Sequence, residues 1–407
     1  MQKLTNFLIA KQKNIIRNVT VLVFSSSMLI TVYAGEESNS ESSGFSAQLL
    51  TQYQYDDNIL SDSNNIIDAY VFLIRPEGSW IFEKGANQFT VVFSNETAKY
   101  EGSSEDNYSD NYLDLRANVE LNSKHRLNML ATIADTHQRR GSGFSTGNGS
   151  AQTDVDTFNQ NDIELRYIYG RESTAAQLDL YYNHSTVDFD QRSDIFGNDV
   201  TLIRDRTDSK IGAEFSYSLT AKTDFVLDVN RTELDYDVET GLGNTVDALL
   251  VGITWQASTK TRGRALIGSQ DRERTIGGSS DDTIWQIGID WSPRSYSTIS
   301  LNSSKSSQAS IGIGNSRNVA STSVTWDHEW SSQFISNMGY SKQSTDFIGT
   351  NTSTDTTSLN VGIAYLFGSN MSLSLDYANT ERESDITNSQ LMFDREVIGI
   401  NFVLTYE

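Results

Sequence analysis

Cysteine is missing from the 407 residues, and proline occurs only twice. Without cysteine the chain can form no disulfide, thiolate metal site or cysteine nucleophile, and it has no N-terminal cysteine to carry a lipid. Basic residues are also scarce, with 31 Lys and Arg against 53 Asp and Glu. The formal net charge of -22 argues against nucleic acid as a partner. Hydrophobic residues make up 37% of the chain, too few for a bundle of membrane-spanning helices. A membrane β-barrel stays compatible, because its strands alternate lipid-facing and water-facing side chains and so average to a polar composition.

The N-terminus has the character of an export signal. Lys3, Lys11, Lys13 and Arg17 precede an apolar run from Val19 to Tyr33, and Val32, Tyr33 and Ala34 suit signal-peptidase cleavage after Ala34. The competing reading, an anchoring helix, asks for ~20 apolar residues, and this run is shorter and contains Ser25, Ser26 and Ser27. The expected organisation is a signal peptide over residues 1–34, a disordered polar lead-in over 35–44, and one barrel domain over 45–407.

From Phe45 onward, stretches of alternating apolar and polar residues repeat without a long amphipathic helix. In Asn111 to Leu121, for example, Leu113, Leu115, Ala117, Val119 and Leu121 share one face. Eighteen such segments are predicted: 45–55, 67–80, 87–100, 110–121, 126–138, 159–170, 174–188, 205–219, 223–238, 246–257, 261–275, 281–292, 295–310, 319–331, 333–347, 354–367, 370–385 and 391–406. They exceed the usual strand length of ~5 or 6 residues in soluble sheets. Connections alternate between tight turns, such as Asn122-Ser123-Lys124 and Thr220-Ala221-Lys222, and longer polar loops. The fold class is therefore all-β. It is a single closed antiparallel transmembrane β-barrel of about 18 strands, between roughly 16 and 20, with short periplasmic turns and long extracellular loops. The bacterial outer membrane is the corresponding location.

Aromatic residues support this register. Trp80, Tyr169, Tyr217, Trp255, Trp291, Trp330, Phe367 and Tyr406 end alternate strands and would form a periplasmic girdle, although strands are enriched in aromatics generally. Pro76 and Pro293 fall near predicted periplasmic ends, where a missing N–H costs least. The longest loop, Arg139 to Phe158, either folds inward as a constriction or stands as a solvated outer loop. Its glycine and serine content favours the second.

If the apolar face meets lipid, the opposite face carries Asp114, Arg116, Glu120, Glu164, Arg166, Asp179, Arg206, Asp208, Lys210, Glu214, Asp224, Asp228, Arg264, Arg272, Asp290, Asp327, Asp376 and Arg382. These are the candidate pore-lining residues. They either pair across strands to stiffen the wall or contact solute, and both roles are compatible. A ring of 18 strands is too wide for side chains alone to fill, which favours a hydrated channel. No catalytic, cofactor-binding or metal-ligating set emerges. His125, His137, His184 and His328 are scattered without metal spacing, and Gly312 and Gly314 lack the strand-to-helix context of a nucleotide site.

Two terminal motifs resemble a known family. Tyr53-Gln54-Tyr55-Asp56-Asp57-Asn58-Ile59 resembles the first-strand signature of the outer-membrane β-barrel proteins encoded with exopolysaccharide and capsule synthesis machinery, the BBP2-like β-barrel porins. Thr380 to Asp385, Phe393-Asp394-Arg395-Glu396 and the closing strand to Tyr406 resemble that family's C-terminal hairpin. Gly399, Phe402, Leu404 and Tyr406 are similar to the signal read by the outer-membrane assembly machinery, with Glu407 as a departure after the last aromatic.

The resemblance implies a non-enzymatic conduit that moves a secreted polysaccharide through the outer membrane, set among lipid and lipopolysaccharide. A periplasmic polysaccharide-export protein is the implied partner. The acidic surplus argues against a strongly anionic polymer and for neutral or zwitterionic sugars. The alternatives are a general or sugar-selective diffusion porin, which rests on the wet lumen, and a closed structural or adhesive barrel.

Overall fold

Period-two alternation gives strands here, because each side of the ribbon then presents one kind of surface. In a computed structural model the described residues are 43–171, 174–192, 199–238, 241–275, 278–386 and 389–406. The expected signal segment 1–34 and the lead-in as far as residue 42 lie outside them. The strands are β1 (Gly44–Asp56), β2 (Ala69–Lys84), β3 (Asn87–Glu101), β4 (Tyr108–Asn122), β5 (His125–Gln138) and β6 (Asp156–Tyr169). They continue with β7 (Ala176–Phe189), β8 (Arg206–Thr220), β9 (Thr223–Tyr236), β10 (Asn244–Ser258), β11 (Thr261–Arg274) and β12 (Ser279–Arg294). The last six are β13 (Ser297–Ala309), β14 (Ser316–Glu329), β15 (Phe334–Ile348), β16 (Thr352–Phe367), β17 (Met371–Ser384) and β18 (Phe393–Tyr406).

Each strand pairs antiparallel with its sequence neighbours in one 18-stranded sheet. The ring closes where β1 meets β18, in register from Ala47 opposite Tyr406 to Asp56 opposite Val397. At ~3.3 Å per residue, strands of this length cross a ~30 Å hydrocarbon layer even when tilted by ~40°.

One face of the ring is apolar and open to the surroundings. Phe72, Phe93, Val229, Ile267, Met338 and Ile400 all stand exposed on it. The eight aromatics of the expected girdle fall on this same face, each within a few residues of a short turn, with Trp330 59% and Tyr406 65% exposed. No helix among the described residues is long and apolar enough to cross a membrane.

The prolines sit where ladders break. The β12–β13 register slips between Trp291 and Arg294, which brackets Pro293 near a turn. Pro76 differs from the expectation, because β2 runs on to Lys84 and leaves the proline mid-strand. There the β2–β3 ladder skips Arg75 and Pro76, as the missing N–H requires.

Alternation is not strict inside the ring. Val226, Ala248, Leu250, Leu266 and Ile284 form a buried apolar cluster on the inward face of β9 to β12. The cross-strand partners of Leu250, Leu266 and Ile284 explain how they fit. Leu250 and Ile284 flank Gly268, and Leu266 lies opposite Gly252, so the larger side chains spread over positions that lack one.

Candidate functional site: the inner wall and its mouth

By strand alternation the eighteen residues proposed from the sequence fall on the face opposite the exposed apolar one. Several meet in pairs. Arg116 lies 3.3 Å from Asp114, Arg166 3.2 Å from Asp179, Arg206 3.4 Å from Asp208, and Arg264 2.9 Å from Glu214. The last pair bridges β11 to β8 across two intervening strands. Asp290 takes Arg262, a partner the sequence reading missed, at 2.9 Å.

Other inward charges lean on neutral groups. Both oxygens of Asp228 accept from the Tyr181 hydroxyl at 3.0 Å. Asp224 accepts from Ser218, and Asp376 accepts from Ser374 and Asn401. Lys210 stands 5.8 Å from the Tyr181 ring centre. Asp327, Glu120 and Arg272 have no side-chain hydrogen bond or ion pair among the described residues, and Glu164 lies inward on β6 opposite Leu130 and Asn183.

Charge is unevenly spread around the ring. On β13 to β16 the inward positions read Thr298, Ser300, Asn302, Ser304, Ser306 and Gln308, then Ser321, Ser323 and Thr325. They continue with Asn337, Ser341, Gln343 and Thr345, then Thr354, Thr356, Ser358 and Asn360. Among the described residues the charges on this flank are Arg317, Asp327 and Glu329, all on β14, and the apolar Val319, Phe347 and Ala364 interrupt the polar positions. The flank is a lane rich in hydroxyls and amides.

Above the wall, the two terminal motifs bind one another. Arg395 Nε donates to Asp56 Oδ1 at 2.9 Å in a buried pair, and the Glu396 amide donates to Asp57 Oδ1 at 2.7 Å. The Asn58 side chain donates to the carbonyls of Asp62 at 2.9 Å and Asp394 at 2.8 Å. The motifs therefore clasp the seam at which the barrel closes.

The β5–β6 loop departs from the outer-loop expectation. It lies across the mouth, turned by short 3-10 segments at Gly143–Ser145 and Gly149–Ala151. Arg140 anchors it. Its Nε donates to Asp106 Oδ1 at 2.8 Å, its Nη2 to Ser103 Oγ at 3.0 Å and its Nη1 to the Gln152 carbonyl at 3.0 Å.

Glycine makes the close approach possible. A Cβ on Gly141, whose φ is +78°, would fall 1.6 Å from the Leu60 carbonyl oxygen. Farther on, Asn65 donates to Ser150 at 3.1 Å, and a Cβ on Gly147 would touch Leu391 at 3.1 Å. Phe144 reaches the β13–β14 loop, where a Cβ on Gly312 would meet its ring at 3.3 Å. Arg204, paired with Asp156 at 2.5 Å, covers that ring at 4.7 Å. Burial, with Arg395 close by, pushes the neighbouring Arg139 guanidinium below its ordinary range. Small residues that suggested a solvated loop in fact let the backbone pack against five other loops.

The profile of the family described as "Putative beta-barrel porin 2" matches residues 45–406. The chain belongs to this family. It is a porin-type barrel, the architecture of outer membranes, and the match spans the ring from β1 to β18. No protein of curated function matches the sequence. Among solved structures, it is similar to the FrpB iron transporter from Neisseria meningitidis, F3-3 variant, at 11% identity and a TM-score of 0.47, covering 86% of this chain and 64% of that one. The chain thus spans under two thirds of that transporter. It is similar to OccAB3 of Acinetobacter baumannii at 13% identity and a TM-score of 0.45, covering 89% of this chain and 99% of that one. For the outer membrane protein OpdK of Pseudomonas aeruginosa the values are 14% and 0.45, with the same coverages.

Proposed function

We propose that this porin exports a secreted polysaccharide, an exopolysaccharide or capsule, as a passive hydrated conduit. The observation that carries this reading is the lane rich in hydroxyls and amides on β13 to β16. A sugar chain presents hydroxyls that both donate and accept, and Ser, Thr, Asn and Gln answer both roles. Each exchange with water nets only about 1 kcal/mol, so a chain is guided without being held. Charged pairs to one side of the lane, such as Arg264 with Glu214, stiffen the wall. Because the β5–β6 loop covers the mouth, passage requires it to move, and a periplasmic export protein feeding the polymer from below would supply the load. In a strain lacking this protein, polymer should accumulate in the periplasm. Normal surface polymer in that strain would overturn the reading.

The bridged mouth favours a second reading, a diffusion porin for small sugars, since solute would have to pass beside the loop. Proteoliposomes that swell rapidly in monosaccharides without any partner protein would support it.

A further inference from the structure

Six consecutive short turns each carry a cation, on a chain whose net charge is -22. Lys84 stands at the β2–β3 turn, Lys124 at β4–β5, Arg171 at β6–β7, Lys222 at β8–β9, Lys260 at β10–β11 and Arg294 at β12–β13, all of them exposed. Backbone bonds join these turns into one rim. The Gly170 amide donates to the Lys124 carbonyl at 2.8 Å, the Gln256 amide to the Lys222 carbonyl at 2.8 Å and the Ser292 amide to the Lys260 carbonyl at 2.7 Å. Side chains run along the same rim, with Lys222 Nζ donating to the Ala257 carbonyl at 2.7 Å and Lys260 Nζ to the Pro293 carbonyl at 2.9 Å. None of the six has a carboxylate partner among the described residues, and Glu83, next to Lys84, accepts from Gln88 instead. Neighbouring turns lie two strand spacings apart, about 10 Å, which is close to one Debye length at ~0.1 M salt. Their potentials therefore add.

The same turns hold much of the aromatic girdle. Trp80 and Phe82 precede Lys84, Tyr169 precedes Arg171, Tyr217 and Leu219 lead to Lys222, and Trp291 and Tyr296 flank Arg294, each of these rings and chains exposed. Rings of this kind sit at headgroup depth, and a lysine or arginine beside them lays its stem on apolar surface while its charge reaches a phosphate. The girdle does not itself demand cations. The turns after β14 and β16 keep the exposed Trp330 and Phe367 but carry only Ser331, Ser332 and Gln333, and Gly368, Ser369 and Asn370. At the far end of the same outer face the sign reverses, because Asp247 stands opposite Asp271, and Asp271 opposite Asp281. We propose that the arc from Lys84 to Arg294 is a binding surface for anionic phospholipid of the inner leaflet, its six cations taking headgroup phosphates. An acidic protein would answer the charge but has no use for the lipid-side rings. The inference goes beyond the polysaccharide reading and does not rest on it.

Native mass spectrometry of the intact barrel, titrated in detergent with phosphatidylglycerol or phosphatidylcholine, reads bound lipid directly. Phosphatidylglycerol should stay bound where phosphatidylcholine dissociates, and high salt should erase the difference. Lys84→Gln, Lys124→Gln, Arg171→Gln, Lys222→Gln, Lys260→Gln and Arg294→Gln combined should weaken phosphatidylglycerol at least tenfold, while the barrel keeps its folded, heat-modifiable migration on a gel. If that variant does not assemble, the first three changes alone and the last three alone should each lose part of the affinity. Arg171→Lys with Arg294→Lys should keep it, and so should Lys99→Gln, an exposed lysine toward the opposite end of β3. Displacement of the lipid by inorganic phosphate at equal concentration would assign the rim to the free ion and overturn the proposal. Equal retention of the two lipids, or phosphatidylglycerol binding indifferent to the sixfold change, would overturn it as well and leave the arc to an acidic protein. Export is judged separately, because surface polymer in the deletion strain tests the polysaccharide reading whatever lipid the rim binds.

Discussion

Asp56 and Arg395 are 1% and 6% exposed, and they join the first strand to the last. A buried pair of this kind is costly to break singly, because the remaining charge has lost both water and partner. Arg395→Ala should therefore lower stability in urea unfolding by about 3–5 kcal/mol, and adding Asp56→Ala should cost less than the two single changes summed. Strict additivity would show that the two groups act independently. Facing can be tested at a neighbouring pair of positions. Val229 is 47% exposed on the apolar face, whereas Asp228 points inward to Tyr181. Val229→Arg should cost about 2–4 kcal/mol near the bilayer midplane and reduce the folded fraction recovered from membranes. Asp228→Asn keeps an acceptor for Tyr181 and should assemble normally, and equal recovery of the two variants would reject the facing. Both motifs that clasp the seam were visible in the sequence as separate signatures. That they bind each other was not legible, because a contact between residues 339 positions apart leaves no local periodicity.

At the scale of elements, strands were the most legible feature. Every predicted segment overlaps one observed strand, since period-two alternation is imposed by the lipid boundary along the whole ladder. Loops obey no such boundary. The β5–β6 loop has the composition of a solvated loop, and its course over the mouth depends on Arg140 finding Asp106 and on glycine permitting contact with Leu60. The inward apolar cluster around Leu250 was missed for a related reason. Gly252 on β10 and Gly268 on β11, each opposite a leucine of the other strand, create room that no single strand's pattern reveals. Arg140→Ala should free the loop without unfolding the barrel. Trypsin should then cleave after Arg139 at least several times faster than in the parent, while the strands stay protected. An unchanged cleavage rate would mean the loop is held by its glycine contacts instead.

For the whole molecule, closure decides what function is possible. Eighteen strands enclose more space than their side chains fill, and the pairing of β1 with β18 leaves no sheet edge open to lipid. The enclosed wall is divided into a charged flank and a lane rich in hydroxyls, with one loop lying across the entrance. Single-channel recording of the intact chain, set against a chain in which residues 141–151 are replaced by a short Gly-Ser link, measures that arrangement directly. A small conductance in the intact protein, rising several-fold to a steady ohmic level in the shortened one, is the expected result. Equal conductances in the two, or no conductance in either, would contradict a hydrated lumen covered by this loop.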